Sequence, residues 1–263
     1  MAHRRPPKPP LALSKTPKEA NPLPKRFDLA PLIKLDPERV VPKHGNDRFS
    51  MFMLALAVVF NDLKGILLFF GPIAPSKPQD DEISGHAGEW RGLDLQLHRY
   101  RVGLIHELIT LLGEFEEEAT GRQMQQILRK ATPKTRSNWS DLVKIATDKE
   151  DTSKKTFANK VVRIRNNIAF HYYRPKDLLA GYRHHFFGSQ QTEAHNHAYC
   201  SIGKDMESTR FFFADAAIQG ALTTIQGDQE SHDFLQTLNA VSKEINSALE
   251  HILREHTRLA RIP

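Results

Sequence analysis

The residues from about Glu89 to Glu118 constrain the fold most, because apolar side chains recur there at helical spacing over about thirty positions. Successive members lie mostly three or four residues apart, which is the period of one face of an α-helix. Helices of this length bury such a face by packing against other helices. The members are Leu93, Leu97, Tyr100, Leu104, Leu108, Leu111, Leu112 and Phe115. The chain is therefore predicted to build a helical bundle.

Other segments repeat the helical pattern. Met51 to Phe70 is apolar nearly all round, as a central bundle helix is, and Ser231 to Arg261 has a regular apolar stripe. Shorter helices are predicted at Arg122 to Ala131, Trp139 to Ala146, Asp177 to Phe187 and Phe211 to Ile225, with a loop from Gly71 to Gly88. Apart from a weak alternation near Ala198 to Ile202, no pattern predicts a strand. The predicted fold class is all-α.

The N-terminal segment has a different composition. Residues 1–44 hold 10 of the 16 prolines, mixed with lysine and arginine, and helical periodicity does not survive that density. We predict a disordered, basic, proline-rich arm over residues 1–45 and one helical domain over residues 46–263. The Pro-Pro-Lys-Pro-Pro sequence in the arm suits either a polyproline ligand or a solubilising tail.

The positive charge is unevenly distributed. Residues 1–44 hold 10 Lys/Arg and 4 Asp/Glu, which accounts for the whole net charge of +6, and the remainder holds 27 of each. Within the remainder, the segment from Arg122 to Arg165 holds 12 Lys/Arg and four acidic residues. A basic segment of this kind indicates either a polyanionic partner such as RNA or a solvated helical face.

Cysteine usage and hydropathy bear on the compartment. The single cysteine, Cys200, excludes an intrachain disulfide, and the basic N-terminal residues run into prolines rather than into an apolar signal sequence. The one candidate membrane span, Phe49 to Phe70, contains Asn61, Asp62 and Lys64, which favours a core helix over a bilayer helix. We predict a cytoplasmic protein without a membrane partner.

One apolar segment, Val161 to Pro175, holds many polar side chains. Val161, Ile164 and Ile168 recur at helical spacing, and the helix is expected to end before Pro175. Buried surroundings accept so many polar groups only when these groups are paired or used. They are Arg165, Asn166, Asn167, His171, Tyr172 and Tyr173.

Arg165 and Asn166, followed after four further residues by His171, resemble the motif of HEPN domains, in which a short variable spacer separates an arginine and a polar residue from a histidine. HEPN domains are small helical bundles, many of them metal-independent ribonucleases that act as dimers. The resemblance implies Arg165, Asn166 and His171 as catalytic residues. It also implies a role for Tyr173, because some HEPN toxins carry at this place a tyrosine that a nucleotidyltransferase partner modifies.

The residue types suit RNA cleavage without a metal or another cofactor. His171 has the titration range for proton transfer near neutral pH, and Arg165 offers a charged planar fork to phosphate oxygens. Asn166 can hold the phosphate or orient a neighbour. On an ideal helix Arg165 and His171 lie about 240° apart in projection, so one helix does not bring both to the same face. We therefore expect a homodimer with the site at its interface.

The predicted function is a metal-independent endoribonuclease of HEPN type, in the role of a toxin or phage-defence effector, that leaves 2′,3′-cyclic phosphate ends. The expected partners are RNA, a second copy of the chain, and an antitoxin or nucleotidyltransferase. The alternative is a noncatalytic helical module that binds RNA or protein.

Two further groups of polar residues remain open. His195, His197 and Cys200 offer zinc-ligating atoms, but their spacing matches no established zinc site, and no metal is predicted. Asn61, Asp62 and Glu107 are either neighbours that support the motif or structural polar residues. No role is assigned to His98 or His106.

Overall fold

The computed structural model describes residues 33–45, 47–73, 75, 77–79, 82–147, 157–166, 175–188, 197–206, 208–226 and 230–258. Within these residues ten helices follow one another, and no β-strand is present. The helices are α1 (Pro37–Val40), α2 (Arg48–Ile73), α3 (Gly85–Glu114), α4 (Glu116–Thr120), α5 (Arg122–Leu128), α6 (Pro133–Thr147), α7 (Phe157–Ile164), α8 (Pro175–Phe187), α9 (Phe212–Gln226) and α10 (Glu230–Arg258). The predicted all-α fold is confirmed. Where a weak strand pattern was seen, an isolated antiparallel bridge joins Ser201 to Arg210.

Helices α2, α3, α6 and α10 pack against one another around the main hydrophobic core. Each buried leucine or phenylalanine in it stabilises the fold by about 1.5–3 kcal/mol through removal of apolar surface from water, before the loss of chain entropy is counted. The largest fully buried side chains are Phe52, Met53, Leu56, Leu63, Ile105, Leu108, Leu112, Met124, Ile164, Leu238, Ile245 and Leu249. The stripe predicted for α10 and one face of α2 thus contribute to the core as expected. For α3 the prediction was partly wrong: Leu108 and Leu112 of its stripe are buried, but Val102 and Ile105 complete the buried face, and Leu93, Leu97, Tyr100 and Leu104 remain partly or largely exposed.

Three helices begin at a proline that the sequence analysis treated as a break. Pro133 opens α6, so this helix begins six residues before the predicted Trp139, and Pro175 opens α8. A proline fits the first helical turn because the N–H that it lacks would have no partner inside the helix. Thr132 caps α6, since its Oγ1 accepts the N–H of Thr135 at 3.1 Å.

The third case, α1, lies inside the segment predicted to be a disordered arm. Pro37 is in its first turn, and the Asp36 carboxylate accepts the N–H of Glu38 at 3.0 Å. The described residues from Lys34 to Arg258 belong to one compact unit. The helical part thus begins before residue 46. Residues 1–32 lie outside the described part of the chain, so the prediction for them stays a prediction.

The long helix predicted from Glu89 to Glu118 is divided in two. Ser84 caps the start of α3 by accepting the N–H of Ala87 at 3.0 Å, and α3 ends at Glu114 before the short α4 begins at Glu116. The buried Trp139 of α6 donates its indole N–H to the Ala119 carbonyl of α4 at 3.0 Å. This bond fixes α4 against the core.

Helix α2 has two apolar faces. Phe52 and Leu56 on one face are fully buried, whereas Met51, Leu54 and Val58 on the other are 41%, 52% and 53% exposed. Among the described residues one helical stretch, Arg48–Phe69, is long and apolar enough to cross a membrane, a test that core helices of water-soluble proteins also pass. Phe52 and Leu56 are part of the core, but only 22% of the most apolar part of this stretch is buried, so the preference for a core helix stays a prediction.

Helices α8 and α9 approach each other more closely than side chains normally allow. A Cβ atom added to Gly181 would overlap the backbone of Ala217 and Ala221, and one added to Gly220 would overlap the carbonyl of Gly181. Glycine is required at this crossing because the two backbones are in contact.

Two glycines inside helices should respond to alanine with opposite signs. Gly65, in the middle of α2, has nothing within 4 Å of an added Cβ. We expect Gly65→Ala to raise the free energy of unfolding by up to about 1 kcal/mol, because alanine is the better helix former. Gly181→Ala should lower it by about 1–3 kcal/mol through overpacking. Urea denaturation of both variants is the measurement, and equal shifts would contradict the close contact between α8 and α9.

The residues around α1 supply a pH-dependent contact with the end of α10. Burial lowers the pKa of His256, against the opposing effects of a hydrogen bond with the Val40 carbonyl and of the Asp47 charge. The Phe49 ring lies edge-on to the imidazole, with 6.2 Å between the ring centroids. The folded state therefore favours neutral His256.

This contact predicts a loss of stability on acidification. The unfolded state takes up the proton at about pH 6.5, above the pKa of His256 in the folded state, so the free energy of unfolding should fall as the pH drops through 6.5. The loss should end below the folded pKa, with a slope of at most about 1.4 kcal/mol per pH unit. The variant His256→Gln should lack this pH-dependent loss of stability. His44 is exposed, and the control variant His44→Gln should keep the loss. Parallel pH curves for wild type and His256→Gln would refute it.

Candidate functional site

The first two residues of the Arg-His motif follow directly on α7. Val161 and Ile164 of this helix are fully buried, and Phe157 stacks on Phe234 of α10 with 5.7 Å between the ring centroids. The next two residues, Arg165 and Asn166, lie in a π-helical turn. Such turns are rare and occur often at functional sites, because the wider turn redirects the side chains. The burial of α7 thus fixes the position from which Arg165 extends.

Asn166 and Glu107 are among the residues that contact Arg165. Its Nη1 donates to Oδ1 of Asn166 at 3.1 Å, and its Nη2 lies 3.7 Å from Oε1 of Glu107 on α3. The arginine side chain is 33% exposed and that of Glu107 is 58% exposed. A guanidinium held from two sides but still reached by solvent is positioned to accept an additional anionic group.

A histidine that the sequence analysis left without a role lies next to this pair. Nδ1 of His106 is 3.5 Å from Oε1 of Glu107, the same oxygen that faces Arg165. The imidazole is mostly buried, with 17% of its side-chain surface exposed. Glu107 therefore stands between a permanent cation and a titratable ring.

Arg165 and Glu107 form one end of a cleft between α2 and α3 with a volume of about 810 Å³. Most of the surface that lines it is apolar, and six of its thirteen lining residues carry polar or charged groups. The lining residues of α2 are Asn61, Asp62, Gly65, Ile66 and Phe69. Those of α3 are Leu93, Gln96, Leu97, Tyr100, Gly103, Leu104 and Glu107. The structure thus brings Asn61, Asp62 and Glu107, whose roles the sequence left open, into one cavity with Arg165.

The composition of the cleft defines what it can bind. A volume of this size, apolar walls and a few converging polar groups are typical of sites for small organic groups. Arg165 attracts an anion, whereas Asp62 and Glu107 accept hydrogen bonds from hydroxyl or amino groups and repel a second anion. A ligand with an apolar body, one anionic group and adjacent hydroxyls satisfies all of these conditions.

The remaining predicted residues either lie outside the described part of the chain or line a second cleft. His171 and Tyr173 lie outside the described residues, as does His195. His197 and Cys200 are exposed and line a second cleft of about 850 Å³, together with His98 and His185. Among the residues that the structure describes, no group of three or more His, Cys, Asp or Glu has an arrangement that holds a metal ion.

Sequence reasoning missed four side chains around the site: Phe69, Gln96, Tyr100 and His106. Gln96, Tyr100, Gly103 and Glu107 recur at spacings of four, three and four, so they lie on one face of α3. Tyr100 was counted in the apolar stripe. The polar residues on the same face of α3 were therefore not recognised as part of a site.

The chain matches none of the family models, curated proteins or solved structures with which it was compared. The likeness to HEPN domains therefore depends on the residues of the motif alone.

The contacts of Arg165 predict a small stability effect. Arg165→Gln and Glu107→Gln should each change the free energy of unfolding by about 1 kcal/mol or less, since an ion pair open to solvent contributes little. Trp139→Phe is the comparison, and should lower it by about 1–3 kcal/mol because the buried Ala119 carbonyl loses its donor. Urea denaturation measures all three. A loss of more than about 3 kcal/mol in Arg165→Gln would mean that Arg165 is a structural residue.

Proposed function

We propose that the protein is a metal-independent endoribonuclease of HEPN type, in the role of a toxin or phage-defence effector. The observation that carries the proposal is the position of Arg165, which is held by Asn166 and Glu107 at the end of a cleft of about 810 Å³. An accessible guanidinium with two fixed neighbours suits stabilisation of the charge that develops on a phosphate during cleavage.

The proposed reaction needs no metal. A base takes the proton of the ribose 2′-hydroxyl, and the 2′-oxygen attacks the adjacent phosphorus. The bond from phosphorus to the 5′-oxygen breaks, an acid protonates that oxygen, and a 2′,3′-cyclic phosphate remains. His171 serves in proton transfer, because imidazole titrates near neutral pH. Arg165 neutralises the pentavalent intermediate, and Asn166 orients the guanidinium through their hydrogen bond.

The distribution of cations supports a polyanionic substrate. Exposed basic side chains follow one another on α5, on α6 and in the short connection between them. They are Arg122, Arg129, Lys130, Lys134, Arg136 and Lys144. Cations that contact a phosphate backbone supply affinity that does not depend on sequence, and this affinity decreases as salt increases.

The proposal includes a homodimer with the site at the interface. Met51, Leu54 and Val58 form an exposed apolar stripe on α2, the helix that also provides Asn61 and Asp62 to the cleft. Burying such a stripe against a second copy would place two clefts near the two-fold axis. An antitoxin or nucleotidyltransferase would then regulate the enzyme, the latter by adenylylating Tyr173, in the cytoplasm.

The second candidate function is a noncatalytic module that binds RNA or protein. The walls of the cleft favour it, because they are mostly apolar and two carboxylates accompany the single arginine. An apolar groove between two helices suits a helix of a partner as well as it suits RNA.

Cleavage of labelled single-stranded RNA in EDTA tests the first function against the second. Wild type should yield 2′,3′-cyclic phosphate ends, identified by mass spectrometry. Arg165→Ala and His171→Ala should each lower the rate at least about a hundredfold, the scale of a lost charge stabiliser or proton-transfer group. Arg183→Ala, which removes an exposed arginine of α8 outside the cleft and outside the basic set, should retain most of the rate.

Two results would contradict the proposal. If wild type binds RNA without cleaving it, while all variants are folded, the noncatalytic module is the better description. If sedimentation of the active preparation shows a monomer with full activity, the site does not require the dimer interface.

A further inference from the structure

We propose that the cleft between α2 and α3 holds the base of one unpaired nucleotide, with the adjacent phosphate on Arg165. The inference rests on the proposed ribonuclease function and deepens it, because it names the substrate class: single-stranded RNA from which a base has been unstacked. The cleft is part of the described structure, whereas His171 is not. Binding to the cleft can therefore be tested without reference to His171.

Two aromatic side chains line the cleft. Phe69 of α2 is 73% exposed, although other large apolar side chains of the same helix are buried in the core. Tyr100 is 41% exposed, and its hydroxyl accepts a hydrogen bond from Nε2 of Gln96 at 2.9 Å. A large apolar ring in water is unfavourable unless something covers it, and bases stack on such rings in sites for single-stranded nucleic acids.

Gly65 opens the floor of the cleft. Its missing side chain leaves the backbone of α2 uncovered, since an added Cβ would meet nothing within 4 Å. Glycine inside a helix costs about 1 kcal/mol relative to alanine. Unlike Gly181 and Gly220, Gly65 does not gain a helix contact in return. Close approach of a flat ligand to the backbone is one use for the space that it leaves.

The polar groups match the rest of a nucleotide. Arg165 at the end of the cleft faces the phosphate, and the Glu107 carboxylate beside it accepts a hydrogen bond from a ribose hydroxyl. The amides of Asn61 and Gln96, also in the lining, have the donors and acceptors that contact base edges. The carboxylates of Asp62 and Glu107 repel a second phosphate within the cleft. We therefore expect the rest of the phosphate backbone to lie outside the cleft, along its opening.

Equilibrium binding of small probes tests this arrangement without relying on cleavage. The probes are adenosine 3′-phosphate, uridine 3′-phosphate and inorganic phosphate, titrated by calorimetry into the full-length protein. Both nucleotides should bind at least about tenfold more tightly than inorganic phosphate, from the contribution of one stacked base. Nucleotides that bind no more tightly than phosphate would overturn the inference.

Variants at one position separate a filled cleft from a damaged protein. Gly65→Trp places an indole in the open space and should weaken nucleotide binding at least about tenfold, while binding of inorganic phosphate stays unchanged. Ser247→Trp, which adds an indole to an exposed position of α10 away from the cleft lining, should bind as wild type does. If Gly65→Trp does not fold, Phe69→Ala decides, because this exposed ring can be removed without opening the core; it should lose about tenfold.

The outcomes distinguish this inference from the proposed function. Nucleotide binding that Gly65→Trp abolishes, in a protein that cleaves no RNA, supports the cleft and refutes the ribonuclease. Metal-free cleavage that Gly65→Trp leaves unchanged, with nucleotide affinity unaltered, refutes the cleft alone. If Gly65→Trp changes the sedimentation of the protein but not its nucleotide affinity, the cleft is an interface between copies, and the inference is wrong.

Discussion

The packing of α2 against α3 is the contact on which both the core and the candidate site depend. On one side of this pair, Phe52 and Leu56 of α2 and Leu112 of α3 are fully buried in the core. On another side the same two helices diverge around Gly65 and enclose the cleft. The side chains that stabilise the fold and those that offer a binding surface therefore lie on different faces of the same two helices, and not in different domains. A substitution that shifts one helix against the other would change both.

The charges at the end of the cleft limit what Arg165 can do alone. Arg165 faces Glu107, and Asp62 lines the same cavity, so carboxylates outnumber the cation there. An ion pair with this exposure contributes little to stability, and an approaching phosphate exchanges one partner of the guanidinium for another. The hydrogen bond that Arg165 donates to Oδ1 of Asn166 keeps the fork oriented during such an exchange. The residues around Arg165 therefore orient its guanidinium more than they add positive charge to the cleft.

The fold was more predictable from the sequence than the site was. Long apolar periodicities located α2, α3 and α10, because a helix buried on one side must repeat its apolar residues at the helical period. The starts of α1 and α6 were not predicted, since Pro37 and Pro133 lie in the first turn of each helix behind the capping residues Asp36 and Thr132. The motif predicts Arg165 and Asn166 as site residues; Arg165 lines the cleft, and the catalytic role of both stays a prediction. Glu107, which faces Arg165, is distant in sequence, and only the packing of α7 on α3 brings the two together.

None of the exposed cations of α5 and α6 is among the described residues that line the cleft, and under the proposed function this divides affinity from selectivity. The exposed cations of α5 and α6 attract any polyanion through a salt-dependent interaction that carries no sequence information. The cleft, with its apolar walls and its excess of carboxylates, contributes little to that long-range attraction and repels a closely apposed phosphate chain. Under the proposed function, the cleft binds a single base that has left the stack beside one phosphate. A duplex, whose bases are paired and stacked, would then contact the basic helices but not the cleft, so the proposal implies discrimination against duplex RNA.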